Sequence, residues 1–123
     1  MKWTGWLAVT TVTILLLSGT GHAADVYCGS MRCFEVKIAA GGHSAQARAD
    51  RAMNVLNQYL GGKTGKFTLR TKRSHVEVLL NGDLLVTVTT ADVRAAQSQS
   101  TRALAGSWRA ALSRAFEATK AQK

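Results

Sequence analysis

Proline is absent from this chain of 123 residues, which excludes a Pro-rich linker or stalk. Cysteine occurs only twice, too few for a multi-disulfide scaffold or a zinc site built on cysteine. Acidic side chains are scarce: seven Asp and Glu stand against sixteen Lys and Arg, for a formal charge of +9. Beyond the N-terminal stretch no apolar run approaches a bilayer-spanning length. The G-x-S-x-G and H-E-x-x-H patterns are missing. Gly61-Gly62-Lys63-Thr64-Gly65-Lys66 has the composition of a phosphate-cradling loop, but it follows a helical pattern instead of opening one. What is present is apolar material, 46% of the chain, enough for one core in one domain.

The first residues read as an export signal. Lys2 supplies the positive start, and Trp6 to Leu17 is apolar. As a helix that run covers about 18 Å, short of the roughly 30 Å of hydrocarbon that a span needs. Gly21 and Ala23 fit a small-x-small cleavage pattern, so the cut is expected after Ala23. Residues 1–23 are then a secretory signal peptide and 24–123 one small domain, secreted or periplasmic, with no transmembrane span left. In an oxidising compartment Cys28 and Cys33 are expected to face each other across a short hairpin and close a structural disulfide.

The rest reads as helix, three strands, helix. Ser44 is a cap, and Ala45, Ala49, Ala52, Leu56, Tyr59 and Leu60 recur at helical spacing, with Gly61-Gly62 as the stop. Arg48 and Arg51 are read as lying off that stripe, in solvent. Phe67 and Leu69 alternate with polar neighbours; Val76, Val78, Leu80 and Leu84, Val86, Val88 form two further alternating sets. Asn81-Gly82 marks a hairpin between them. A two-residue loop there mixes the two faces, so a three-residue loop pairing Leu80 with Leu84 is preferred. That register puts Leu79 and Leu85 on the outer face, either under the N-terminal hairpin or as a possible partner surface. Thr89 and Asp92 open a helix, Gln97–Ser100 interrupts it, and Leu104, Trp108, Leu112, Ala115 and Phe116 form the last stripe. The expectation is an α+β domain in two layers: N-terminal β-hairpin, helix, three-stranded antiparallel sheet and C-terminal helix.

Candidate chemistry is sparse. Lys63, Lys66, Arg70, Lys72 and Arg73 make a basic stretch that either keeps the domain solvated or attracts polyanions without sequence preference. Outside the inner membrane those are anionic lipid headgroups, lipopolysaccharide or acidic wall polymers. Stacking aromatics and a reading helix are absent, so no specific nucleic-acid module is expected. His43 and His75 are the minimum for a general acid–base pair in a small secreted hydrolase of phosphodiesters or envelope polymers. Asp50, Glu77 and Asp83 fall on separate elements with no motif around them. No cofactor and no metal are expected.

Several segments in order resemble the extracytoplasmic N-terminal region of bacterial MscS-type mechanosensitive ion channel proteins. They are Phe34-Glu-Val-Lys-Ile38, Ser44-Ala-Gln-Ala-Arg-Ala-Asp-Arg51, Leu84-Leu-Val-Thr-Val-Thr-Thr-Ala-Asp92 and Leu104-Ala-Gly-Ser-Trp108. Val93 departs from the alanine of that pattern, and the chain ends at Lys123, where those proteins' membrane helices begin. The resemblance therefore implies the role of the soluble module, without a pore. The function expected is a non-catalytic binding or modulator module of the cell envelope, with an envelope polyanion or a membrane protein as partner.

Overall fold

The structure, a computed structural model, describes residues 23–62 and 64–121. The expected leader lies outside the described residues, apart from Ala23 at its end, and so does Lys63. Strands β1 (Ala24–Cys28) and β2 (Met31–Val36) form an antiparallel hairpin. Helix α1 (Ala45–Leu60) follows, then β3 (Phe67–Thr71), β4 (His75–Leu80) and β5 (Asp83–Thr89), an antiparallel sheet in that order. A short α2 (Thr90–Ala96) and a long α3 (Thr101–Ala121) complete the α+β fold. The element order is the one that the hydrophobic periodicity predicts.

Caps and breaks fall where the side chains dictate. The Ser44 hydroxyl accepts from Ala47 N–H and starts α1. Thr89 and Asp92 form a reciprocal capping box on α2. Gln97 then takes a left-handed conformation (φ 56°), and the Ser100 hydroxyl accepts from Ala103 N–H to begin α3.

Two bulges set which side chains face inward. In the first hairpin Val26 pairs with Phe34 but Tyr27 with Arg32, so Cys33 is the extra residue. Without that slip Arg32 would turn inward; with it, Arg32 joins the outer face and pairs with Asp25 at 2.9 Å. Cys28 pairs with Met31, and the unshifted register would set it opposite Arg32, so neither register faces it to Cys33. The expected disulfide is therefore corrected: both cysteines are free thiols, Cys28 buried and Cys33 half-buried.

The second bulge lies between β4 and β5. Asn81 (φ 53°) and Gly82 (φ 89°) form a two-residue turn, and both left-handed values suit the twist of the strands. Leu80 thus pairs with Asp83 and Leu79 with Leu84, while Val78 still meets Val86. The extra residue is Leu85. The turn and the facing valines are both accommodated, because the bulge restores the register that the short turn would lose. This corrects the expected partner surface: Leu79 is 6% exposed and Leu85 1%, and Leu85 belongs to the main core.

The core joins both sheets through α3, which touches all five strands. Trp108 stacks on Phe34 with centroids 4.2 Å apart, and Phe116 meets Phe67 edge-on at 5.6 Å. Gly65 lies so close to Phe116 that a Cβ there would stand 2.3 Å from the ring. Helix α1 lays Ala45, Ala49, Ala52 and Leu56 into the same core, against the hairpin and β5.

Candidate functional site

Strand β5 is an edge of its sheet, and α1 runs beside it. The contact between them is partly polar. Arg48 is 8% exposed, because it sits on the alanine stripe of α1 and not beside it. Its guanidinium donates to Asp92 Oδ1 at 2.9 Å and Oδ2 at 2.7 Å, a bidentate pair. It also donates to the backbone carbonyls of Ile38 (2.8 Å) and Thr87 (2.7 Å). Asp92 Oδ2 in turn accepts from the N–H and hydroxyl of Thr89, both at 2.9 Å. One buried pair therefore ties the segment before α1, α1 itself, the edge strand and the start of α2. A buried charge pair needs this completeness, since each unsatisfied lone pair or proton would carry a desolvation cost.

Above this pair lies a cleft of about 630 Å³. The turn Ala40–His43 forms one wall, closed by Ala40 N–H to His43 O at 2.9 Å and His43 N–H to Ala40 O at 3.1 Å. Gly41 (φ 62°) and Gly42 (φ 81°) permit that turn. Ala47, Arg48 and Arg51 of α1 form a second wall. Leu84 to Thr87, with Thr89 and His75, line the strand side. Among the described residues none that lines the cleft is acidic. Arg51 is exposed and makes no ion pair among the described residues.

The two histidines named from sequence thus share this cleft, which their separation in the chain gave no reason to expect. His43 is exposed. His75 has Nδ1 3.4 Å from the Ser74 hydroxyl and Nε2 3.7 Å from Glu77 Oε2. The three carboxylates do not converge. Asp50 accepts from Gln46, Glu77 from Arg70 and Asp83 from Tyr59. Among the described residues no cluster of three or more His, Cys, Asp or Glu is placed to hold a metal ion.

The basic stretch is divided. Arg70 bonds Glu77 at 2.6 Å, and this guanidinium holds the Glu77 carboxyl below its ordinary range. Lys66, Lys72 and Arg73 are exposed. Lys66 precedes β3, and the other two occupy the β3–β4 turn, so their charges flank the sheet and do not line the cleft. At the far hairpin, burial pushes the Cys33 thiol up to about 11, with the nearby Cys28 adding to it; burial raises Cys28 too. Neither thiol is an activated nucleophile.

Sequence reasoning missed Arg48 and its partner. The signal was there: positions 45, 48, 49, 52 and 56 form one helical stripe, so a charge at 48 is on the buried face and demands an acid.

Residues 25–119 match the family described as Domain of unknown function (DUF8459). The chain belongs to that family. No curated protein and no solved structure matches the chain. The matched span holds the Arg48–Asp92 pair and the whole lining of the cleft. Among the described residues no helix is long and apolar enough to cross a membrane.

Proposed function

We propose that this chain is a non-catalytic binding module of the cell envelope, exported by its N-terminal segment, that holds an anionic partner or modulates a membrane protein. The observation that carries this reading is the cleft. It is braced by a buried ion pair and walled in part by apolar side chains; among the described residues it is free of acids, and its Arg51 has no carboxylate partner. A pre-formed concave site with few polar groups is the usual form of a binding site. Lys66, Lys72 and Arg73 add a salt-sensitive attraction toward anionic surfaces. The likeness of the Arg48 and Asp92 segments to the soluble region of MscS-type channel proteins supports a module acting beside the membrane.

The reading is tested by co-sedimentation with anionic vesicles, lipopolysaccharide, wall fragments and a membrane extract. Retention on at least one of them, weakening as salt rises, is the expected result. No retention on any of the four at low salt would overturn the reading.

A second reading has one observation in its favour: His43 and His75 line the same cleft as Arg51, as a phosphodiester hydrolase requires. It differs in its outcome. Turnover of a phosphodiester or envelope polymer, lost in His43→Ala and in His75→Ala while Trp108 fluorescence stays unchanged, would replace the non-catalytic reading.

A further inference from the structure

We infer that the cleft takes a single-chain amphiphile with an anionic head, either a carboxylate or a monophosphate. This rests on the binding-module reading only in treating the cleft as a site of binding. The lining of the cleft combines two chemistries. Leu84, Leu85 and Val86 of β5 with Ala40 and Ala47 give an apolar wall. Arg51 and the two histidines supply the donors. A small inorganic anion leaves the apolar wall in water, and a neutral chain leaves the exposed Arg51 charge to water alone. An anionic amphiphile satisfies both, burying its chain and meeting the guanidinium with two parallel hydrogen bonds.

Charge on the remaining lining points the same way. Arg48 competes little for the head, since the four N–H groups of its two terminal nitrogens are committed to Asp92, Ile38 O and Thr87 O. The acid beside His75 is Glu77, which Arg70 holds. An anion entering the cleft therefore meets positive charge with no carboxylate along the lining. The volume, about 630 Å³, falls inside the range of small-molecule sites, roughly 300–1,000 Å³. Because the ion pair fixes both walls, little ordering is left for the ligand to bring about.

Backbone-amide NMR with four probes tests this: octanoate, octyl phosphate, octanol and inorganic phosphate, all below micellar concentrations. The two octyl anions should shift amides of residues 40–51 and 84–89 and bind about tenfold more tightly than octanol or phosphate. Arg51→Ala should weaken both anions about tenfold and leave octanol unchanged. Ala47→Trp, at an exposed cleft position, should fill the space and remove all binding without altering thermal unfolding. Phosphate binding as tightly as octyl phosphate, octanol as tightly as octanoate, or shifts confined to the β3–β4 turn would overturn the inference. Cleft binding without retention on any envelope fraction leaves the amphiphile site standing and removes the envelope reading. Envelope retention that persists in Ala47→Trp, with no octyl anion bound by the native protein, does the reverse.

Discussion

The two long helices, α1 and α3, meet the strands in opposite ways. Under α3 the contact is dry and aromatic: Trp108 on Phe34 and Phe116 on Phe67, with Leu112 between them and Leu104 one turn before. Under α1 the buried stripe is three alanines and Leu56, interrupted by Arg48 and completed by Asp92 from the start of α2. Alanines bring the helix close but bury little surface, so on that side the hydrogen-bonded pair specifies where the helix sits. The difference separates two tasks. The α3 side contributes most of the burial that holds the domain together, and the α1 side holds open a cleft that a fully apolar seam would close.

The largest effect should come from the dry side. Phe116 is fully buried, and Phe116→Ala should cost about 4 kcal/mol by urea denaturation. A loss below about 1 kcal/mol would mean that the aromatic seam is not the main source of stability, and the comparison would fail.

The α1 side should respond less strongly but with a different signature. Arg48→Met keeps volume and removes the charge, leaving Asp92 buried with only its Thr89 contacts. About 3 kcal/mol should be lost. Adding Asp92→Asn should recover part of that loss, because the penalty belongs to the unpaired carboxylate and not to the missing contact. Strict additivity of the two substitutions would show that the pair is not coupled and that alanine packing alone positions α1.

The same contrast explains what the sequence made legible. Period-two and helical stripes locate every long element, since each rests on side chains that leave water together. The capping box at Thr89–Asp92 is equally readable, being local to four residues. Two things were not readable. The bulges at Cys33 and Leu85 shift the faces of their strands, and nothing adjacent in the chain announces them; they resolve a conflict between turn geometry and side-chain burial. The cleft needs residues from positions 40–51 and 75–89 to meet, and the tertiary bonds of Arg48 to Asp92 and Thr87 O, with the packing of α1 on β5, bring them together. Arg48 itself was legible as a charge on a buried stripe, though not which acid would answer it.

The smallest expected effect sharpens the dry side of the comparison, at the seam where Thr119 of α3 donates to Cys28 O. If that end is dry, both thiols stay protonated well above neutral pH. Burial raises Cys33 from 9.0 to about 11, with the proximity of Cys28 acting in the same direction and a hydrogen bond from the Cys28 backbone opposing both. A raised value favours folding while the thiol is protonated in both states. That contribution is whole below pH 9.0 and is lost as pH climbs through about 11. Under reducing conditions the stability of the native protein should therefore fall relative to Cys33→Ala across this window. Iodoacetamide should modify Cys33 slowly at pH 8 and faster as the thiolate appears. Alkylation at pH 8 as fast as that of an unburied thiol would place water at the hairpin and erase the contrast between the two sides.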